Sequence, residues 1–225
     1  PMSVLPVGGA PAVAADVMGV LAPVDLDATA AQHAVEREGA CVTWAGSLRL
    51  SPVSDQLGRV SHALGLEGDA QAVAAVFAHK IAAGVTHLLV EVPVAPGSRL
   101  GDCVLGERLV RHLTRVASPL GLCVDVLLRE APAPLGRGLG PGREAFDVLA
   151  VLQNAPDAPR ELRARALVLA GNLLEFCGAT PEGSGLTLAR ETLVSGRARD
   201  KFLALCDAQG GFRTPRRANH RDVVC

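Results

Sequence analysis

The residues in this sequence best suited to chemistry fall in two groups. One is a basic set, Arg59, His79 and Lys80, and the other is the glycine-dense turn Gly136, Gly138 and Gly140 with Asp147 just beyond it. Guanidinium and ammonium groups donate hydrogen bonds to carbonyl and anionic oxygens, and imidazole exchanges a proton near neutral pH. The turn glycines reach backbone angles closed to other residues, so a ligand or another segment can approach the chain there. Near the N-terminus, the backbone N–H groups of Gly8 and Gly9 could hold an anion at a helix start near Ala15.

Each of these has a plainer reading. Arg59 can pair on the surface with Asp55, and His79 reads as a core or surface histidine. Lys80 answers the negative end of its helix. His87, inside an apolar strand, reads as hydrogen-bonded structure, and Glu144 and Asp147 suit a solvated helix face. The turn is not a P-loop, because no Lys-Ser/Thr pair closes it. A dinucleotide fingerprint on Gly138-x-Gly140 also fails, because helix after helix follows and no second strand remains to carry the acidic ribose ligand. A tight strand-to-helix turn stays open as the alternative.

The elements that position these residues follow from periodicity. Leu122–Leu128 reads as a strand, the turn follows, and Pro141 suits the first turn of a helix. Thr86–Val92 is a strand apolar enough to be buried on both faces, and Ala40–Trp44 reads as a shorter one. Asp25 or Asp27 caps a helix to Glu38 that Gly39 ends. Asp69–Ala83 and Asp102–Ala117 are helices, the second with Leu105, Leu109, Leu113 and Val116 inward. Ser47–Gly68 reads as irregular. These alternations imply an α/β fold, a largely parallel sheet flanked by helices, with a helix-rich C-terminal half. Helices over Pro159–Phe176, Gly185–Val194 and Arg197–Gln209 make that half, the first burying Leu162, Ala166, Leu169 and Leu173. The expected divisions are 1–153 as sheet core with the glycine loop, 154–211 as a helical extension on that core, and 212–225 as a basic tail.

Composition bounds the function classes. The 225 residues are 49% hydrophobic but only 3% aromatic, so the core must be built from Leu, Val and Ala in close contact. A net charge of -1 offers no global field for nucleic acid or an anionic membrane. The six cysteines have no zinc spacing, and Cys41 and Cys123 read as buried free thiols. No apolar run reaches membrane-spanning length and no signal-like N-terminus is evident, so the expected setting is cytoplasmic.

Ordered pieces of the chain resemble the pyrimidine nucleoside phosphorylases, especially the thymidine phosphorylase-like branch that includes AMP phosphorylase. They are Ala15–Leu21, Gly39–Gly46, Ser51–Asp55 with Arg59-Val60, Ala78–Lys80, Gly84–His87, Pro134–Pro141, Leu169–Gly171 and Ala208–Gly211. The resemblance implies the central α/β domain of a family whose members are about twice as long. It also implies phosphorolysis of a nucleoside or nucleoside monophosphate, a pentosyl transfer with inorganic phosphate as co-substrate and no organic cofactor. A homo-oligomer or partner subunit is expected to complete such a site.

Carried over by position, the family's base-contacting Arg falls on Arg59, its Ser on Ala75 and its Lys on His79, with Lys80 following. The phosphate segment falls on residues 8–14, where Gly8 and Gly9 supply only backbone donors and no hydroxyl. Asp147 matches a carboxylate that, with loop carbonyls, can hold a monovalent cation. Phosphorolysis needs preorganised donors on both sugar and base sides, and each donor lost costs about 10²–10³ in rate. The sequence reading is therefore a catalytically impaired homologue acting as a binding or assembly module. An active pentosyltransferase working as part of an oligomer is its alternative.

Overall fold

The computed structural model describes residues 2–6, 12–64, 69–94, 103–130, 135–137 and 140–215, and for some of them, Asp55, Arg59 and Ala75 included, the backbone alone. In chain order the elements are β1 (Met2–Pro6), α1 (Ala12–Leu21), α2 (Ala28–Glu38), α3 (Ala45–Leu48), α4 (Pro52–Leu64) and α5 (Asp69–Ala82). Then come β2 (His87–Val94), α6 (Cys103–Ala117), a 3₁₀ turn Ser118–Leu120, β3 (Cys123–Glu130), α7 (Pro141–Leu152), α8 (Arg160–Phe176), α9 (Gly185–Val194) and α10 (Arg197–Ala208). The fold is α/β. Its elements form two compact units, residues 1–10 with 49–134 and residues 11–48 with 135–225. Position 153 lies in the second of these units, in which α7 packs on α1.

The first unit holds a parallel sheet in the order β1-β2-β3. Leu5 of β1 lies opposite Val90, and Val90 opposite Val126 of β3. β2 is central, and Leu88, Leu89, Val90 and Val92 are fully buried, as its unbroken apolar run requires. Phe77 of α5 and Leu109, Leu113 and Ala117 of α6 join Leu88, Val90 and Val92 in one core. Val116 is partly exposed and Ala117 takes the inward place expected of it, a shift of one position round the helix. β1 was not legible, because a run of five residues is too short to show an alternation.

The second unit is helical. Asp27 caps α2 by accepting from the Ala30 N–H at 2.8 Å, and Gly39 ends it with φ 75°. α8, α9 and α10 start within a residue or two of the expected positions. On α8 the buried residues are Leu167 and Gly171, with Leu162 and Leu174 packed beside them, whereas Ala166 is exposed. Gly171 is there for a physical reason. A Cβ on it would lie 2.7 Å from the Leu186 backbone nitrogen, so α8 and α9 cross backbone against backbone.

Two further expectations change. Residues 40–44 are not a strand. The Trp44 N–H donates instead to the Val24 carbonyl at 2.9 Å, and the backbone of Val42 is satisfied by the buried side chain of Gln209. Its Oε1 accepts from the Val42 N–H at 2.7 Å, and its Nε2 donates to the Val42 and Pro23 carbonyls at 2.8 and 2.9 Å. Residues 52–64 form helix α4, not an irregular stretch. Among the described residues no helix is long and apolar enough to cross a membrane.

Candidate functional site

β3 leads towards the glycine turn, and α7 leaves it. Gly140 precedes α7 with φ 100°, Pro141 opens the helix, and Glu144 accepts from the Gly140 N–H at 3.1 Å. The turn is fastened to α7 by Asp147. Its Oδ2 accepts from the Arg137 backbone N–H at 2.7 Å, and its Oδ1 from Arg137 Nε at 2.6 Å. Arg137 Nη1 reaches on to Asp157, donating to its Oδ2 at 2.6 Å and to its carbonyl at 3.0 Å. Hydrogen bonds to the two carboxylates raise the pKa of the Arg137 guanidinium above its ordinary value.

This arrangement corrects the reading of Asp147 as a solvated side chain, since only 3% of it is exposed. It also explains Gly136. With φ +98°, this residue approaches so closely that a Cβ there would sit 2.7 Å from Asp147 Oδ2. Sequence reasoning named Asp147 but missed Arg137. The signal was an Arg inside the turn ten residues before a carboxylate on the next helix.

The basic set lies in the other unit. α4 carries Arg59 and packs against α5, whose last turn carries His79 and Lys80. His79 and Lys80 are both half-buried. Withdrawal from water lowers the Lys80 pKa, and among the described residues no carboxylate pairs with its ammonium. An ammonium held in this way is a ready donor to an oxygen-bearing ligand. The Arg59 side chain, Gly8, Gly9 and Gly138 lie outside what is described, so they are named here by sequence position only.

A third charged group was not anticipated. Glu91 on β2 is 2% exposed and accepts from Arg129 Nε of β3 at 2.7 Å. Both residues sit towards the C-terminal ends of parallel strands, the end where open α/β sheets bind ligands. The clue was an acid within the apolar run His87–Val94, which needs a partner to be buried. His87 behaves as expected of a structural histidine, its Nδ1 3.1 Å from Thr86 Oγ1. The thiols are redistributed, with Cys123 exposed, Cys41 half-buried and Cys206 fully buried. Burial pushes the Cys206 thiol up to about 11.

Comparison with known proteins supplies what the geometry alone cannot. The chain is 49% identical over 214 residues to "Putative thymidine phosphorylase 1" of Acidovorax sp. and 50% identical over 215 residues to the protein of that name in Cupriavidus necator. Each match covers 95% of this chain. By sequence, the chain is a partial-length relative of proteins named putative thymidine phosphorylase. It spans 42% and 41% of the length of those two relatives, and 42% of a third, "Putative thymidine phosphorylase" of Hahella chejuensis, at 46% identity. No family model matches the chain. The similarity runs along nearly the whole of this chain.

Proposed function

We propose that this chain carries the base-side donors of a nucleoside phosphorylase site and binds a nucleoside or its monophosphate without completing the transfer by itself. The supporting observation is Lys80, half-buried on the last turn of α5 with no acidic partner among the described residues, and next to His79. As the glycosidic bond breaks, the departing base gains negative charge, and a desolvated ammonium stabilises that charge better than a hydrated one. Arg59 on the neighbouring helix is the second donor to the base in this reading. On the phosphate side, residues 8–14 offer the backbone N–H groups of Gly8 and Gly9 and no hydroxyl or ammonium.

Inorganic phosphate is the co-substrate in this reading, and a second subunit would supply the absent donors. The alternative, an active pentosyltransferase of the same class, is favoured by 46–50% identity to relatives named for that reaction. Calorimetry with thymidine, AMP and phosphate, alongside a phosphorolysis assay, separates the two. Under the first reading the nucleoside binds and no base is released; release of free base establishes the alternative, and no binding at all overturns both.

Lys80→Met sharpens the test. Loss of a hydrogen bond from a charged donor is expected to weaken nucleoside binding about 10–100-fold. Since burial lowers the Lys80 pKa, contact with a base oxygen restores it, and binding takes up protons at alkaline pH. The calorimetric enthalpy should then vary with the ionisation heat of the buffer, and Lys80→Met should remove that dependence. An unchanged affinity in the variant would exclude Lys80 from the site.

A further inference from the structure

We propose that Arg137 is the cation of the glycine turn, filling the position beside Asp147 that family resemblance assigns to a monovalent metal ion. A sodium or potassium ion bound there would need the carboxylate and turn carbonyls as ligands. The residues present do not fit that use. Both Asp147 oxygens already face donors of Arg137, the side-chain Nε at 2.6 Å and the backbone N–H at 2.7 Å. Gly136 closes on Oδ2 as well, near enough that even a Cβ would meet it at 2.7 Å.

A guanidinium is permanently charged, so a metal ion entering between it and the buried Asp147 carboxylate would meet repulsion, although the Arg137 side chain itself is 45% exposed. The fork also performs the mechanical task of a bound ion. It ties the turn to α7 through Asp147 and to the residues before α8 through Asp157. A turn fixed by its own side chain keeps its shape whichever salt surrounds it. This inference concerns the turn alone and does not depend on turnover.

The test is the thermal midpoint of the whole chain in potassium, sodium, rubidium and choline chloride at equal ionic strength. The wild-type midpoint is expected to be the same in all four. An ion bound at a hundredfold its dissociation constant would instead raise it by about 5–10 °C over choline, and such a rise overturns the proposal. Arg137→Gln strands a buried carboxylate and should lower the midpoint by about 5–10 °C; a variant melting like the wild type also overturns it. Should Arg137→Gln fail to fold, rubidium-soaked wild-type crystals decide. No anomalous peak within bonding distance of Asp147 supports the proposal, and a peak there overturns it.

Discussion

Gln209 shows what a single side chain does in this molecule. It is 4% exposed, and its amide donates twice and accepts once across residues far away in sequence. A buried amide is stabilising only when its partners are in place, because each unsatisfied backbone group costs about 1–3 kcal/mol. Gln209→Ala orphans the Val42 N–H, the Val42 carbonyl and the Pro23 carbonyl together. Water can reach some of the gap, so the expected loss is about 2–4 kcal/mol, read as a lower urea midpoint at unchanged slope. A loss below a few tenths of a kcal/mol would mean that the bonds of Thr43 and Trp44 to the Val24 carbonyl hold the 40–44 segment without Gln209. The same residue explains a limit of sequence reading. Residues 40–44 have strand composition, but among the described residues no strand pairs with them, and an amide 167 positions away bonds Val42 instead. Asp147 was misread for a related reason, since the partner that allows its burial lies in a turn whose shape no periodicity reveals.

Elements were more legible than their faces. α2, α5 and α6 to α10 begin and end close to where caps, prolines and glycines put them, because those signals act locally. The buried stripe of α8 was misjudged because apolar residues ring most of that helix, so composition alone could not select the contact. The contact is selected by glycine. Gly171 and Gly185 meet backbone to backbone, a Cβ on Gly185 would overlap the Gly171 carbonyl oxygen, and Glu175 Oε1 accepts from the Gly185 N–H at 2.6 Å. Gly171→Ala therefore forces α8 and α9 apart instead of filling a gap. Overpacking of this kind costs about 1–3 kcal/mol, and for a chain of this size that lowers the midpoint by roughly 2–12 °C. Circular dichroism melting is the measurement. Elsewhere on a helix the same change stabilises through propensity, so a raised midpoint would show that the two helices do not touch at this point.

At the scale of the whole molecule the informative feature is what the fold leaves uncovered. α4 was missed in the sequence because its apolar residues lie between glycine and serine, yet Val53, Leu57, Val60 and Leu64 recur at helical spacing. They are 68%, 58%, 56% and 63% exposed, a continuous stripe where a helix normally packs inward. Scattered surface leucines need no explanation, but an aligned set of four is an apolar patch that water meets at a cost. The same helix carries Arg59, so this face belongs to the element proposed to hold the base and not to a remote surface. The isolated chain is expected to bind anilinonaphthalene sulfonate in its native state and to bind it less after Val53→Lys with Leu57→Gln. Because neither side chain is packed, the double variant should keep its stability to within about 0.5 kcal/mol per site. A variant that retains full dye binding would put the apolar surface elsewhere. One that loses several kcal/mol would show α4 packed by these residues in solution, and the stripe would then belong to the core.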